Sequence, residues 1–142
     1  MPNYDASTNN NSKRANRVYK DLDLDFGRNP VTNDVNKLTD IEAVKRSVRN
    51  LINTNHFERP FHPEIGSSVT AMLFEPMNPI TANILQRTIA ECIENFEPRA
   101  RLVSVSAAAK PDANSYEVTI SFYAVNVPGE LITLTTMLER SR

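Results

Sequence analysis

Pro98 divides the chain into two periodicities, and this division constrains the fold more than any other residue. Proline fixes its own φ and biases the residue before it away from helical geometry, so a helix running through Phe96 stops at Glu97. Upstream, Ile80, Ile84, Leu85, Ile89, Cys92, Ile93 and Phe96 recur at helical spacing, with Asn78 as cap and Pro79 at the first helical position. Downstream, Val103, Val105 and Ala107 alternate with Ser104 and Ser106. Tyr116, Val118, Ile120 and Phe122 then alternate with Glu117, Thr119 and Ser121. Period two predicts strands with one buried face. "KPDANS" turns the chain between them, and "VPGE" sets Pro128 and Gly129 where a type II turn prefers them. "LITLTTML" reads as the last strand.

The first half follows the same rules. "VYKDLDLDFG" puts Leu22, Leu24 and Phe26 on one side and Asp21, Asp23 and Asp25 on the other, a strand with one wet face. "RNPVTND" breaks it. Thr39 with Glu42 three residues on forms a capping box, opening a helix with Ile41, Val44, Val48, Leu51 and Ile52 inward. Lys45, Arg46 and Arg49 face outward in this reading. "NTNHFERPFHPEIGSS" is a loop stiffened by Pro60 and Pro63, with a short helical turn around Val69 to Phe74 after it. The expected fold is α+β: two long helices packed on a mostly antiparallel sheet with three C-terminal strands. Residues 1–16, rich in Asn and Ser, are expected to form a disordered tail, and 17–142 a single domain.

Composition removes several function classes. A net charge of −1 argues against broad electrostatic binding of nucleic acid. No apolar run approaches the roughly 20 residues that span a bilayer, and the N-terminal stretch lacks a signal-type hydrophobic segment. Cys92 has no second cysteine to pair with, so an oxidising compartment is not implied. No nucleic acid and no membrane are expected as partners.

Catalytic patterns fail one after another. Counting an EF-hand from Asp21 puts Phe26 where glycine is needed and Thr32 where the bidentate Glu belongs. His56-Phe57-Glu58 and His62-Pro63-Glu64 are H-x-E triplets without the P-C-x-x-C partner of zinc deaminases, and H-E-x-x-H does not occur. Cys92 lies on the apolar side of its helix, where a buried thiol is inert. G-x-S-x-G is missing, and three scattered glycines make no phosphate loop. A glycosidase needs two carboxylates, and Glu97 is the natural candidate acid. Arg99 beside it pushes its pKa the wrong way, and the chain has no Trp for sugar stacking. No catalytic residue, metal or cofactor is expected.

Two features remain. Glu97, Pro98 and Arg99 place a charged pair on a stiff joint, either as a plain helix stop or as a preordered contact. Leu131, Ile132, Thr133, Leu134, Thr135, Thr136, Met137 and Leu138 form an uncharged, strongly β-prone stretch. As a free edge it would be an aggregation hazard, so it pairs within its own sheet or accepts a strand from another chain.

"LDFGRNPVTNDV", "AVKRSVRNLI", "ERPFHPEIGS" and the helix leading into "FEPR" resemble the baseplate wedge, or sheath-initiator, family of contractile-tailed phages, with relatives in type VI secretion sheaths. The resemblance runs over roughly residues 17–142. It implies a structural protein of the virion tail baseplate, assembled in the host cytoplasm. It further implies that Glu97, Pro98 and Arg99 dock onto the wedge core bundle and that residues 131–138 pair with sheath strands to start sheath polymerisation. Implied partners are other baseplate wedge proteins, the tail sheath protein and tube-proximal baseplate proteins. The family also carries a lysozyme-like label, so the alternative is a peptidoglycan-degrading baseplate enzyme.

Overall fold

The computed structural model describes residues 19–127 and 129–139. The tail expected over 1–16, the onset of order near Arg17 and the Pro128 half of the last turn lie outside the described residues. The chain runs β1 (Lys20–Leu22), β2 (Lys37–Thr39), α1 (Asp40–Asn53), α2 (Val69–Met72), α3 (Pro79–Phe96), β3 (Ala100–Lys110), β4 (Ser115–Ala124) and β5 (Leu131–Glu139). A 3-10 turn over Pro111–Ala113 joins β3 to β4. β1 and β2 make a small antiparallel pair, while β3, β4 and β5 form an antiparallel sheet in that spatial order. This is the α+β arrangement the periodicities predict.

The core lies between α1, α3 and the inner face of the sheet. Val44, Val48 and Ile52 of α1 and Leu85, Ile89 and Ile93 of α3 meet Tyr116, Val118, Ile120 and Phe122 of β4. Burying each large aliphatic is worth about 1.5–3 kcal/mol, so this cluster is the main source of stability. Asn78 caps α3 as expected, its Oδ1 accepting from Thr81 N at 2.7 Å. The loop between α1 and α2 folds back over Asn55, and only glycine fits its return. Gly66 has φ 147, and a Cβ there would stand 2.7 Å from the Asn55 carbonyl.

Five local expectations are corrected. The strand expected over 18–27 is only three residues long, because the chain turns at Asp23 and Phe26 N donates to Asp23 O. Its apolar side faces outward, with Leu22, Leu24 and Phe26 exposed, while Asp21 and Asp25 reach arginines. A two-stranded pair has too little surface to bury a face, so the demand of half-buried guanidinium groups decides its orientation. Thr39 stands at the N-cap of α1 but its side chain makes no cap bond, and Glu42 pairs with Lys45 instead. Asp40, at φ 47, turns the chain from β2 into the helix.

Arg46 is half-buried against Asp25 rather than facing outward. On α3, Ile80 and Ile84 are exposed. At about 100° per residue they lie roughly 140° and 100° around the helix from Leu85, outside the buried stripe. In β3 a bulge between Leu102 and Ser104 expels Val103, so Leu102 pairs with Phe122 and Val105 with Ile120 on one face.

Candidate functional site

The joint between α3 and β3 is built from the helix stop upward. Glu97 closes α3, its N–H donating to Ile93 O at 2.9 Å, and Ala100 N donates to Glu97 O at 3.1 Å as β3 begins. Pro98 sits exposed between them. The two charged side chains turn inward. Glu97 is only 4% exposed. Arg99 donates Nε to Glu97 Oε1 at 2.7 Å and Nη2 to Oε2 at 3.0 Å, a fork-on-carboxylate pair. Ser47 of α1 donates its hydroxyl to the same Oε2. The remaining arm of the guanidinium, Nη1, reaches Asp21 of β1 at 3.0 and 3.2 Å. The Tyr19 ring centroid lies 5.5 Å from the guanidinium carbon.

Glu97 and Arg99 together therefore staple three segments that have no sequence proximity: α1 through Ser47, β1 through Asp21, and the α3–β3 joint itself. Burial pushes the Glu97 carboxyl upward, but the hydrogen bonds from Arg99 and Ser47 outweigh it and hold the group below the usual range. The Arg99 pKa is raised, chiefly by the Glu97 hydrogen bond. A general acid needs the opposite environment, a carboxyl that keeps its proton near neutral pH. Glu97 is a structural anion.

The second region is β5. It pairs with β4 from Leu131↔Tyr123 to Glu139↔Ser115, and Ile132, Leu134 and Leu138 point into the core. Thr133 and Thr135 face outward beside Ser121 and Thr119 of β4. Among the described residues no strand pairs with the outer edge of β5. Pairing within the sheet and availability for a further strand thus coexist on opposite edges.

The β4–β5 connection reaches the joint and the start of α1. Val125 N, just past β4, donates to Arg99 O at 3.0 Å, and Asn126 in the same β4–β5 connection donates to Asp40 Oδ1 at 2.6 Å. Neither Asp21 nor Ser47 was linked to the joint from the sequence. Asp21 carried a faint signal as part of an acidic alternation; Ser47 carried none, because only the fold brings it to Glu97. His62 pairs with Glu64 at 3.1 Å on the exposed loop. The Cys92 thiol is buried against Gly66 O, and burial pushes its pKa to about 11.

The three-stranded sheet packs on two helices, and an ionised staple ties the α3–β3 joint to β1 and α1. The chain belongs to the family of baseplate wedge protein gp25, whose model matches residues 39–127. It is 30% identical over 116 residues to baseplate wedge protein gp25 of Enterobacteria phage T4, spanning 82% of this chain and 87% of that one. A Geobacter sulfurreducens structure to which a tail-lysozyme role is ascribed shares the fold at TM-score 0.64 and 22% identity, covering 71% of this chain and 91% of that one. A chain in the anti-feeding prophage baseplate aligns at TM-score 0.60 and 21% identity, over 88% of each. This chain is a structural component of a contractile-tail baseplate.

Proposed function

We propose that this protein docks onto the core bundle of a baseplate wedge through the Glu97-Pro98-Arg99 joint and starts sheath polymerisation by offering β5 to sheath strands. Membership of the gp25 family carries the reading. The unpaired outer edge of β5 supports its second half: an exposed, uncharged strand edge is a template for β-augmentation. Left uncovered, it is also a liability that natural proteins seldom leave undefended. For the first half, Pro98 stands exposed at the apex of a joint whose geometry is set in advance, which lowers the entropy lost on docking. Other wedge proteins and the tail sheath protein are the partners this reading requires, with tube-proximal baseplate proteins adjacent. Assembly takes place in the host cytoplasm before the protein resides in the virion tail.

The test is co-expression with the wedge and sheath proteins of the same genome. Arg99→Lys keeps the charge and removes the fork. It is expected to stay folded by circular dichroism yet be lost from the wedge complex. Thr133→Lys/Thr135→Lys is expected to enter the wedge and fail to nucleate sheath. Full recovery of folded Arg99→Lys removes the docking role, and normal sheath growth on the double lysine variant removes the strand-pairing role.

A further inference from the structure

A groove of about 470 Å³ opens beside the stapled joint, with Asp21 and Ser47 in its wall. Its other walls come from Leu22 at the end of β1, Leu24 just after it, Ile65 of the long loop and Phe96 at the end of α3. Leu22 and Leu24 are 59% and 52% exposed, whereas Leu51 of α1, Leu85 of α3 and Leu134 and Leu138 of β5 are buried. Lys20, Arg46 and Arg59 rim this apolar floor. Arg46 is matched by Asp25 and Asp21 by Arg99. Lys20 and Arg59 have no carboxylate within ion-pair distance among the described residues. The groove is thus apolar within and carries two uncompensated cations on its edge.

We infer that this groove receives an acidic amphipathic segment of another wedge protein, one that sets apolar side chains between Leu24 and Phe96 and carboxylates against Lys20 and Arg59. The inference rests on the wedge-docking reading and names the partner chemistry of that joint. Charge complementarity selects the occupant. Residues 1–18, with Asp5 against Lys13, Arg14 and Arg17, and residues 140–142, with Arg140 and Arg142, lack the acidic chemistry that complements this rim. A basic segment would be repelled by this rim. The position also explains why the leucines face outward, because contiguous exposed apolar surface rimmed by charge marks an interaction site.

Lys20→Glu/Arg59→Glu reverses both exposed cations without touching the staple. In the full chain, co-expressed with the wedge proteins, this variant is expected to bind roughly tenfold more weakly or worse, and the wild-type complex to weaken as salt rises. A photo-crosslinking side chain placed at Leu24 is expected to attach to an acidic amphipathic segment of a wedge protein. Normal binding by the charge-reversed variant overturns the inference. A crosslink to residues 1–18, to a second copy, to the sheath protein or to a basic segment also overturns it, as does no crosslink in an intact complex. Loss of binding by Arg99→Lys with unchanged binding by Lys20→Glu/Arg59→Glu leaves the docking reading standing and removes the groove. Full binding by both variants removes both.

Discussion

The joint and the last strand solve the problem of polar groups in opposite ways. At the joint, a buried carboxylate, a half-buried guanidinium, a second carboxylate and a hydroxyl satisfy one another within the chain. At β5, one edge is satisfied by β4 and the other finds no strand among the described residues. Closure suits a part that must hold its shape before a partner arrives. An open edge suits a part whose partner completes it. The contrast extends to the sheet interior, where the Tyr116 and Ser115 hydroxyls are buried with no hydrogen-bond partner among the described residues.

The comparison breaks most directly at Arg99. Arg99→Ala leaves Glu97 buried and uncompensated, which is expected to cost about 3–5 kcal/mol in urea unfolding. A loss below about 1 kcal/mol, the range of a surface ion pair, means the staple does not hold the fold. The pH dependence sharpens the same point. Because the folded carboxyl of Glu97 titrates below its unfolded value, its stabilisation is complete above the ordinary Glu value of about 4.3. As pH falls below that value the unfolded chain takes up the proton first, so stability drops until the folded carboxyl protonates too. Glu97→Gln is expected to be less stable at pH 7 and to lose less on acidification. Parallel pH profiles for the two proteins break the staple reading.

Smaller effects are expected at the sheet. Tyr116→Phe removes a buried hydroxyl that bonds to nothing among the described residues, and is expected to be neutral or to stabilise by up to about 1 kcal/mol. A loss of more than about 1 kcal/mol means the hydroxyl is satisfied after all. Thr133→Lys/Thr135→Lys is expected to change unfolding stability by no more than about 0.5 kcal/mol, since both side chains face outward. The proposed strand pairing puts its effect on sheath assembly instead. A large loss of stability means the outward face of β5 is part of the protein's own packing and not a surface held for another chain.

Much of the fold was legible because local physics and burial agree in it. The Asn78 cap, the stop before Pro98 and the alternation of Tyr116, Val118, Ile120 and Phe122 all stand in the structure as their patterns predict. Legibility failed where a short element had too little surface to enforce its own pattern. β2 was missed, and the Leu22–Leu24–Phe26 side of the first strand is reversed. The Val103 bulge was unreadable too, since a single extra residue leaves the sequence alternation intact on paper and shifts it in space.

At the candidate site the sequence drew attention to the α3–β3 joint, and a proline between opposite charges was the signal. It did not say where the charges point. By itself the sequence determined that a helix ends at Glu97 and that an uncharged strand closes the described chain, because proline geometry and period-two burial act within a few residues. Only the tertiary structure decided that Glu97 and Arg99 turn inward to Ser47 and Asp21, 50 and 78 residues away along the chain. A buried charge takes whichever partner the packing brings within reach, and nothing local in the chain names that partner.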